Sequence, residues 1–564
     1  MDAQDILEKC KSIRSRAGPS PDFFTRVSSE RFDHHHHHEN ATLISNATIF
    51  TGAKNGTEVV KGEILIYKGI VRALGENIPV DDYEHLEVVD AKGAWVTPGL
   101  VNIYSHQGVL SSPVTYGANE LDAPNGPVTP WLRSIDGFHT YDERTRLAVA
   151  RGITSVQAYA GRANNIGAQA FVMKLRKTLD GSPSSMILEP PTDITGNRSD
   201  SSHWRHLAQS CGEATRRHGN RIDGVWALRS AYAEARKIMN LQDSFCARAE
   251  AGLWDSVTSH FPESLRWEML VDVLRGKAKV SSICSEAVDL ANMIRVSEEF
   301  GFPVTSFLLA AEAWLVPGLI KNGVDRPTVG LTATNYGYNR ESYQGSPFAP
   351  RVLHDHNVSV IMMSDETFMS SNYILDEARK AYHFGLPESA ALASVTSAPA
   401  IALGLSHRVG ILRKGSDADL VVWDSHPLHA GATPLQVWID GALQNQEQKN
   451  LNATIQRLKE GHAWRKTPIQ PNYDRERKSA IKNEGRPIPS YIIKGKVVFV
   501  NVKEVWSRKR GGFIEELFPA GQRGLCVVVV EKGKITCLGE DKECSSDAED
   551  AQTIAADGGF LSLV

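Results

Sequence analysis

PGLVNIYSH, Pro98 to His106, and IMMSDE, Ile361 to Glu366, decide the fold of this 564-residue chain. Each is a short apolar, β-rich run ending in groups that carry protons, Tyr104 and His106 in the first and Asp365 and Glu366 in the second. Between them, strand-like runs (GITSVQAYA, KVSSICS, FPVTSFLLA, PTVGLTAT, VSVIMMS) alternate with helical stretches such as SAYAEARKIMNLQDSFCARAEAGL and DLANMIRVSEEFG. Strand and helix in alternation over about three hundred residues predict a parallel barrel with its chemistry at the carboxyl ends of the strands.

Outside this span, VKGEILIYKGIVRALG and its neighbours alternate β-branched runs with Gly and Asp turns, and ADLVVWD and QVWIDG return to the same pattern after the barrel. The predicted fold class is therefore α/β, a (β/α)8 TIM-like barrel over 98–403 with a composite β-sandwich domain built from 41–97 and 404–447. Residues 1–40, with the run His34 to His38, read as a polar extension, and 448–489 as a charged linker. Residues 490–564 echo the small domain: IKGKVVFVNVKEVW, GLCVVVVEKGKITCLGEDKE and IAADGGFLSLV follow ISNATIFTG, GEILIYKGIVRALGE and VVDAKGAWVTPGLV in the same order.

A net charge of −4 with no basic stripe or phosphate loop gives no reason to expect nucleic acid. No apolar run has membrane length, so no membrane partner is expected. Seven scattered cysteines without a CxxC spacing read as reduced thiols and favour a cytoplasmic protein, while six Asn-x-Ser/Thr sequons pull toward secretion.

The quoted segments resemble the amidohydrolase superfamily. VTSAPAIALGLSHRVGILRKGSDADLVVWD, Val395 to Asp424, is similar to its final helix and return strand. GPVTPWLRSIDG, RANNIGAQAFVMKLR and SAYAEARK resemble a fungal-type, imidazolonepropionase-like subgroup, and the likeness runs over residues 1 to 447. That subgroup carries a longer second half, so a shortened descendant is expected. The resemblance implies a first strand ending in His-x-His, where this chain has Tyr104 and His106, with Asn102 where an Asp is usual. It also implies imidazoles at the ends of strands five and six, where this chain offers Ile283 or Cys284, then Leu308, Leu309 and Ala311. The acidic residue of strand eight remains as Asp365. With aliphatic groups at ligand positions, no metal and no cofactor are expected.

What remains is a set for proton transfer: Asp365 or His106 as base, Tyr104 as acid or oxyanion donor, and Glu366 beside them. Ile283, Leu308 and Leu309 would wall an apolar cavity, with Arg340, Tyr336 and Tyr338 (and Tyr343) gripping an aromatic or acidic substrate. Lys174 reads as an ordinary lysine at a strand end rather than a carboxylated metal bridge, Cys284 as an inert buried thiol, and Glu286 and Glu312 as structural. The leading expectation is a metal-independent enzyme that cyclises or isomerises a small organic substrate of specialised metabolism, with a homo-oligomer as a possible assembly. The alternatives are a non-catalytic ligand- or partner-binding pseudoenzyme and a mononuclear metal-dependent hydrolase of C–N bonds.

Overall fold

A computed structural model describes residues 3–31, 40–190, 203–257, 260–334, 340–364, 371–444, 466–471, 495–508, 514–518, 524–544 and 550–563. The chain forms two compact units, Met1–Tyr473 and Asp474–Val564.

In the first unit, strands from both flanks of the barrel share one sheet. It holds β1 (Ala41–Phe50), β2 (Val59–Tyr67), β3 (Ile70–Gly75), β4 (Leu86–Asp90) and β5 (Trp95–Pro98) from the amino-terminal side. The barrel strands follow as β6 (Leu100–Ser105), β7 (Ile153–Ala158), β8 (Ile166–Lys174), β9 (Arg205–Ser210), β10 (Ala278–Ile283), β11 (Ser306–Leu308), β12 (Thr328–Leu331) and β13 (Val360–Met362). Then β14 (Leu420–Trp423), β15 (Pro434–Ile439) and β16 (Ala442–Leu443) complete the small sheet, β14 lying antiparallel beside β5.

The barrel strands β6 to β13 make one sheet in sequence order. β6, β7 and β12 are buried along their whole length, as strands covered on both faces should be. The two edges of the sheet are bridged by the backbone at Ser394 and Val395. Val101 N donates to Val395 O (2.9 Å) and Met362 N to Ser394 O (3.2 Å).

One strand corrects the expectation of eight parallel strands, because β8 runs antiparallel to both β7 and β9. Only residues 159–165 separate β7 from β8, too few for the crossover of a dozen or more residues that a parallel neighbour requires. Reversal moves the carboxyl end of β8 to the opposite end of the sheet, with Lys174 beside Ser155 and Phe171 beside Ala158.

The helix Arg221–Glu250 begins on a capping box in which Asn220 and Asp223 satisfy each other's backbone, and it buries Leu228, Ala231, Tyr232, Ala235 and Phe245 on one face. Residues 3–31 are packed against the rest of this unit. Helix Ala3–Arg14 is tied to this long helix by the Cys10–Cys246 disulfide and by Arg14 on Glu250 (2.6 Å). Cys211–Cys284 and Cys537–Cys544 are also bonded, leaving Cys526 as the free thiol. The reading of all seven cysteines as reduced thiols is thus corrected. The first two partnerships span 236 and 73 residues and are made by folding, not by spacing.

The second unit repeats the opening strand pattern of the small sheet, with its two long strands each split into two shorter ones. β17 (Lys496–Val502), β18 (Glu504–Arg508), β19 (Ile514–Phe518), β20 (Cys526–Glu531), β21 (Lys534–Gly539), β22 (Gln552–Ala555) and β23 (Phe560–Leu563) fall into two sheets. β17 with β18 corresponds to β1. Each is bulged at an asparagine of positive φ, Asn46 or Asn501, whose carbonyl accepts the N–H of Gly93 or Gly558 (2.6 and 2.8 Å). The hairpin turns match as well, Lys68-Gly69 and Lys532-Gly533 all at positive φ, the turn that suits the strand twist.

Candidate active site

Tyr104 and His106 close the first barrel strand, and a sequence with alternating faces would point them the same way. Both are fully buried, their rings edge to face with centroids 4.8 Å apart. Tyr104 Oη lies 3.0 Å from His106 Nε2, and His106 Nδ1 lies 2.9 Å from the Tyr159 carbonyl. A carbonyl can only accept, so Nδ1 carries the proton, and in the neutral ring Nε2 accepts from the Tyr104 hydroxyl.

Tyr159, which no motif singled out, follows directly after β7. Its hydroxyl donates to Gln209 O (2.6 Å) and lies 3.3 Å from Ser281 O, so one side chain braces β9 and β10 while its carbonyl holds His106. Burial drives its phenol well above the ordinary range, which keeps it a neutral donor.

Ile283 and Leu308 are cross-strand partners, and both are packed in one apolar cluster with Tyr104 and Tyr159. Leu309 packs against that cluster at a positive φ of 53°. Asn102, at the other notable position of β6, turns its amide oxygen back to accept from Tyr104 N (3.0 Å). Asp365 and Glu366 lie outside the described residues, as do Tyr336 and Tyr338; the last described residue before Asp365 is Ser364, buried two residues after the end of β13.

A bound divalent cation needs about three protein donors with lone pairs aimed at it. Here His106 spends both ring nitrogens on Tyr104 and Tyr159, and Ile283 and Leu308 supply hydrocarbon. Among the described residues this donor set does not fit such an ion; Asp365 and Glu366 lie outside them.

A second polar group stands at the carboxyl ends of β9 and β10. Glu286, Asp289 and Glu341 bring oxygens within 4.8 Å of one another. Arg221 pairs with Glu286 and, through Nε, with Asp289 Oδ1 (2.8 Å), while Glu341 accepts from Glu213 N (2.7 Å). Burial raises both Asp289 and Glu341 above ordinary carboxyl values. The Arg221 guanidinium already supplies the positive charge this cluster needs. Arg340 reaches back to Glu286 (3.4 Å) with its side chain largely in solvent, and Tyr343 is exposed. Glu312 accepts from Ala287 N (2.8 Å) at the start of helix Ala287–Phe300.

Lys174 corrects the expectation of an ordinary lysine. The reversal of β8 carries it away from Tyr104 and His106 into a fully buried cluster, 3.0 Å from Asp417, 2.7 Å from Asp419 and 2.9 Å from Asp440. Burial alone would lower its pKa, but three carboxylates hold it charged, above the usual range. Arg26, Arg31, Arg176 and Arg408 complete the balance around Asp417 and Asp440. Among the described residues no helix is long and apolar enough to cross a membrane.

The family model described as Amidohydrolase family matches residues 280–469. Amidohydrolase tasK of Hapsidospora irregularis is 36% identical over 473 residues, covering 78% of this chain and 46% of tasK. The chain therefore spans about half the length of that relative. Imidazolonepropionase of Geobacillus kaustophilus is 22% identical over 389 residues, 65% of this chain and 84% of its own length. Among solved structures, an amidohydrolase from Thermotoga maritima MSB8 superposes with a TM-score of 0.62 at 27% identity, over 72% of this chain and 99% of that one.

Proposed function

Because this chain belongs to the amidohydrolase family, we propose that it is an enzyme of hydrolase-type ancestry whose barrel now performs metal-independent acid–base chemistry, cyclising or isomerising a small organic substrate. The observation that carries this reading is the hydrogen-bonded chain Tyr104 Oη, His106 Nε2, His106 Nδ1–H, Tyr159 O, set in a wall of Ile283 and Leu308.

The chain of bonds suits proton transfer. When Tyr104 Oη takes a proton from a substrate carbon or hydroxyl, it passes its own to His106 Nε2, and the imidazolium formed is held by the Tyr159 carbonyl. Run in reverse, the same path protonates a developing oxyanion. The apolar wall keeps water out, which strengthens each of these bonds. Asp365, one residue beyond Ser364, is the proposed second base, with Glu366 beside it in the proton-transfer set and Tyr336, Tyr338 and Arg340 the proposed substrate contacts. Transfer of this kind contributes ~100 to 10,000-fold, enough for ring closure or isomerisation of an activated substrate.

The complete burial of Tyr104 and His106 favours a second reading, a ligand-binding protein without turnover. One experiment separates the two from a metal hydrolase: metal content by mass spectrometry on protein with His34–His38 replaced, followed by substrate screening with and without chelator. Turnover that survives the chelator and disappears in Asp365→Asn supports the proposal. Stoichiometric metal with chelator-sensitive hydrolysis overturns it, and a bound metabolite recovered unchanged favours the ligand-binding protein.

A further inference from the structure

Helices Ala3–Arg14, Arg221–Glu250 and Glu268–Leu274 contribute to the wall of a cavity of about 560 Å3 in the first unit. Trp204, directly before β9, and Gly276, two residues before β10, also line it. The cavity therefore lies at the amino-terminal ends of those strands, whereas Ile283 stands at the carboxyl end of β10. Its size is that of a small-molecule site, roughly 300 to 1,000 Å3. Ile13, Met239, Leu274 and Trp204 supply apolar wall, Arg14, Arg16 and Arg275 supply positive charge, and among the described residues no carboxylate lines it.

Two helices end beside this cavity, and their carbonyl ends give one ordinary reason for basic side chains. Lys277 serves it, its ammonium donating to Ser12 O (2.5 Å). The charge present exceeds that need. Arg14 is paired with Glu250 (2.6 Å) and Arg275 with Asp243 (2.7 Å), yet among the described residues no carboxylate forms an ion pair with Arg16, with Lys277, or with Lys279 over the Trp204 ring at 4.0 Å. Burial pulls the Lys277 ammonium below its usual range, with Asp272 opposing the shift and Arg275 adding to it. Arg275 itself has donors to spare. Its side chain is 10% exposed, and its bonds all leave from Nη2, to Met239 O (3.4 Å), Gln242 Oε1 (3.2 Å) and Asp243 Oδ1 (2.7 Å). Nε is buried without an acceptor, and Nη1 has none among the described residues. Unmet donors on a buried guanidinium are costly, and an oxyanion is the group that matches them.

We propose that this cavity binds a small organic oxyanion, a carboxylate or phosphate carried on an apolar ring system, at a site separate from Tyr104 and His106. Arg16, Arg14 and Arg275 hold the charged head, while Ile13, Met239, Leu274 and Trp204 cover the apolar body. The site stands on its own cavity and charges, independently of whether the barrel turns over a substrate.

The test is calorimetric titration of the full chain with 1-naphthyl phosphate, with 1-naphthoate and, as the uncharged control, with 1-naphthol, each at low and at high salt. At least one of the two anions is expected to bind with a Kd below about 1 mM. The control should bind about tenfold or more weakly, and the affinity of the anion should fall as salt rises. Which anion binds tighter identifies the head group as phosphate or carboxylate. Arg16→Gln and Arg275→Lys should each weaken binding about tenfold. Arg16 is exposed, so its variant is expected to keep the wild-type thermal unfolding midpoint, which separates loss of the site from loss of the fold. Equal affinity for the uncharged control overturns the proposal, as does the absence of binding by both anions or binding that survives both substitutions. Binding that is lost in Tyr104→Phe would place the anion in the barrel and overturn it too.

Discussion

At the scale of single residues, the pair Tyr104 and His106 is local in sequence, two positions apart at the end of one strand, and that proximity survives any packing of the strand. What the strand could not reveal is the third member, since Tyr159 acts on His106 through its backbone carbonyl, a group every residue has. Tyr104→Phe keeps the ring in its apolar cluster and removes the proton. Turnover of whatever substrate the wild type converts is expected to fall about 100-fold or more, while the urea midpoint shifts by no more than about 1 kcal/mol of stability. A variant with wild-type kcat would remove Tyr104 from the chemistry. Lys174→Met is the opposite case. It leaves three buried carboxylates without their shared cation, and a loss of ~3 to 5 kcal/mol in guanidinium unfolding is expected, with no part in catalysis.

At the scale of elements, β8 and the disulfides carry the lesson. The apolar run of β8 says strand, but its direction follows from the short connection 159–165 and from the strands on either side. Direction in turn decides which end of the sheet receives Lys174. The cysteine pairs join elements far apart in sequence, so composition could count them but not match them. Thiol titration of protein unfolded without reductant is expected to find one reactive group, Cys526, rising to seven after reduction. Cys10→Ser with Cys246→Ser should lower stability by ~2 to 4 kcal/mol, by freeing a long loop in the unfolded chain. Seven thiols before reduction would restore the reading of a reduced protein.

At the scale of the whole molecule, the first unit is fastened across its parts by buried charge. Arg26 and Arg31 of the amino-terminal segment, Lys174 and Arg176 at the end of β8, and Asp417, Asp419 and Asp440 of the small sheet meet in one place. Nearby, Glu189 accepts from His407 and Arg408, both at 2.6 Å. Burial would raise its carboxyl, but these partners hold it down at about 2. A folded pKa below the unfolded one means stability that is present above pH ~4.5 and lost as pH falls toward 2. Glu189→Gln is therefore expected to cost about 3 kcal/mol at neutral pH, with the gap to wild type closing by pH 2 in thermal unfolding curves. Asp419 acts in the opposite sense. Burial beside two other carboxylates raises it to about 6, so its ionisation erodes some stability as pH rises from 4 through 6. A pH profile with no acid limb dependent on Glu189 would show that this fastening contributes nothing.

The sequence by itself determined six of the eight barrel strands, all but β8 and β9, with the long helix, the repeat of the small sheet and the nearness of Tyr104 to His106, because period, turn residues and short spacings are properties of neighbouring residues. It also showed that hydrocarbon side chains, Ile283 and Leu308, stand at the ends of two barrel strands. Only the tertiary structure decided the direction of β8, the partners of the cysteines, the destination of Lys174 and the bracing role of Tyr159. Each of these depends on which distant groups share a low-dielectric interior, and a charge, a thiol or a carbonyl acquires its role there only when folding supplies the partner.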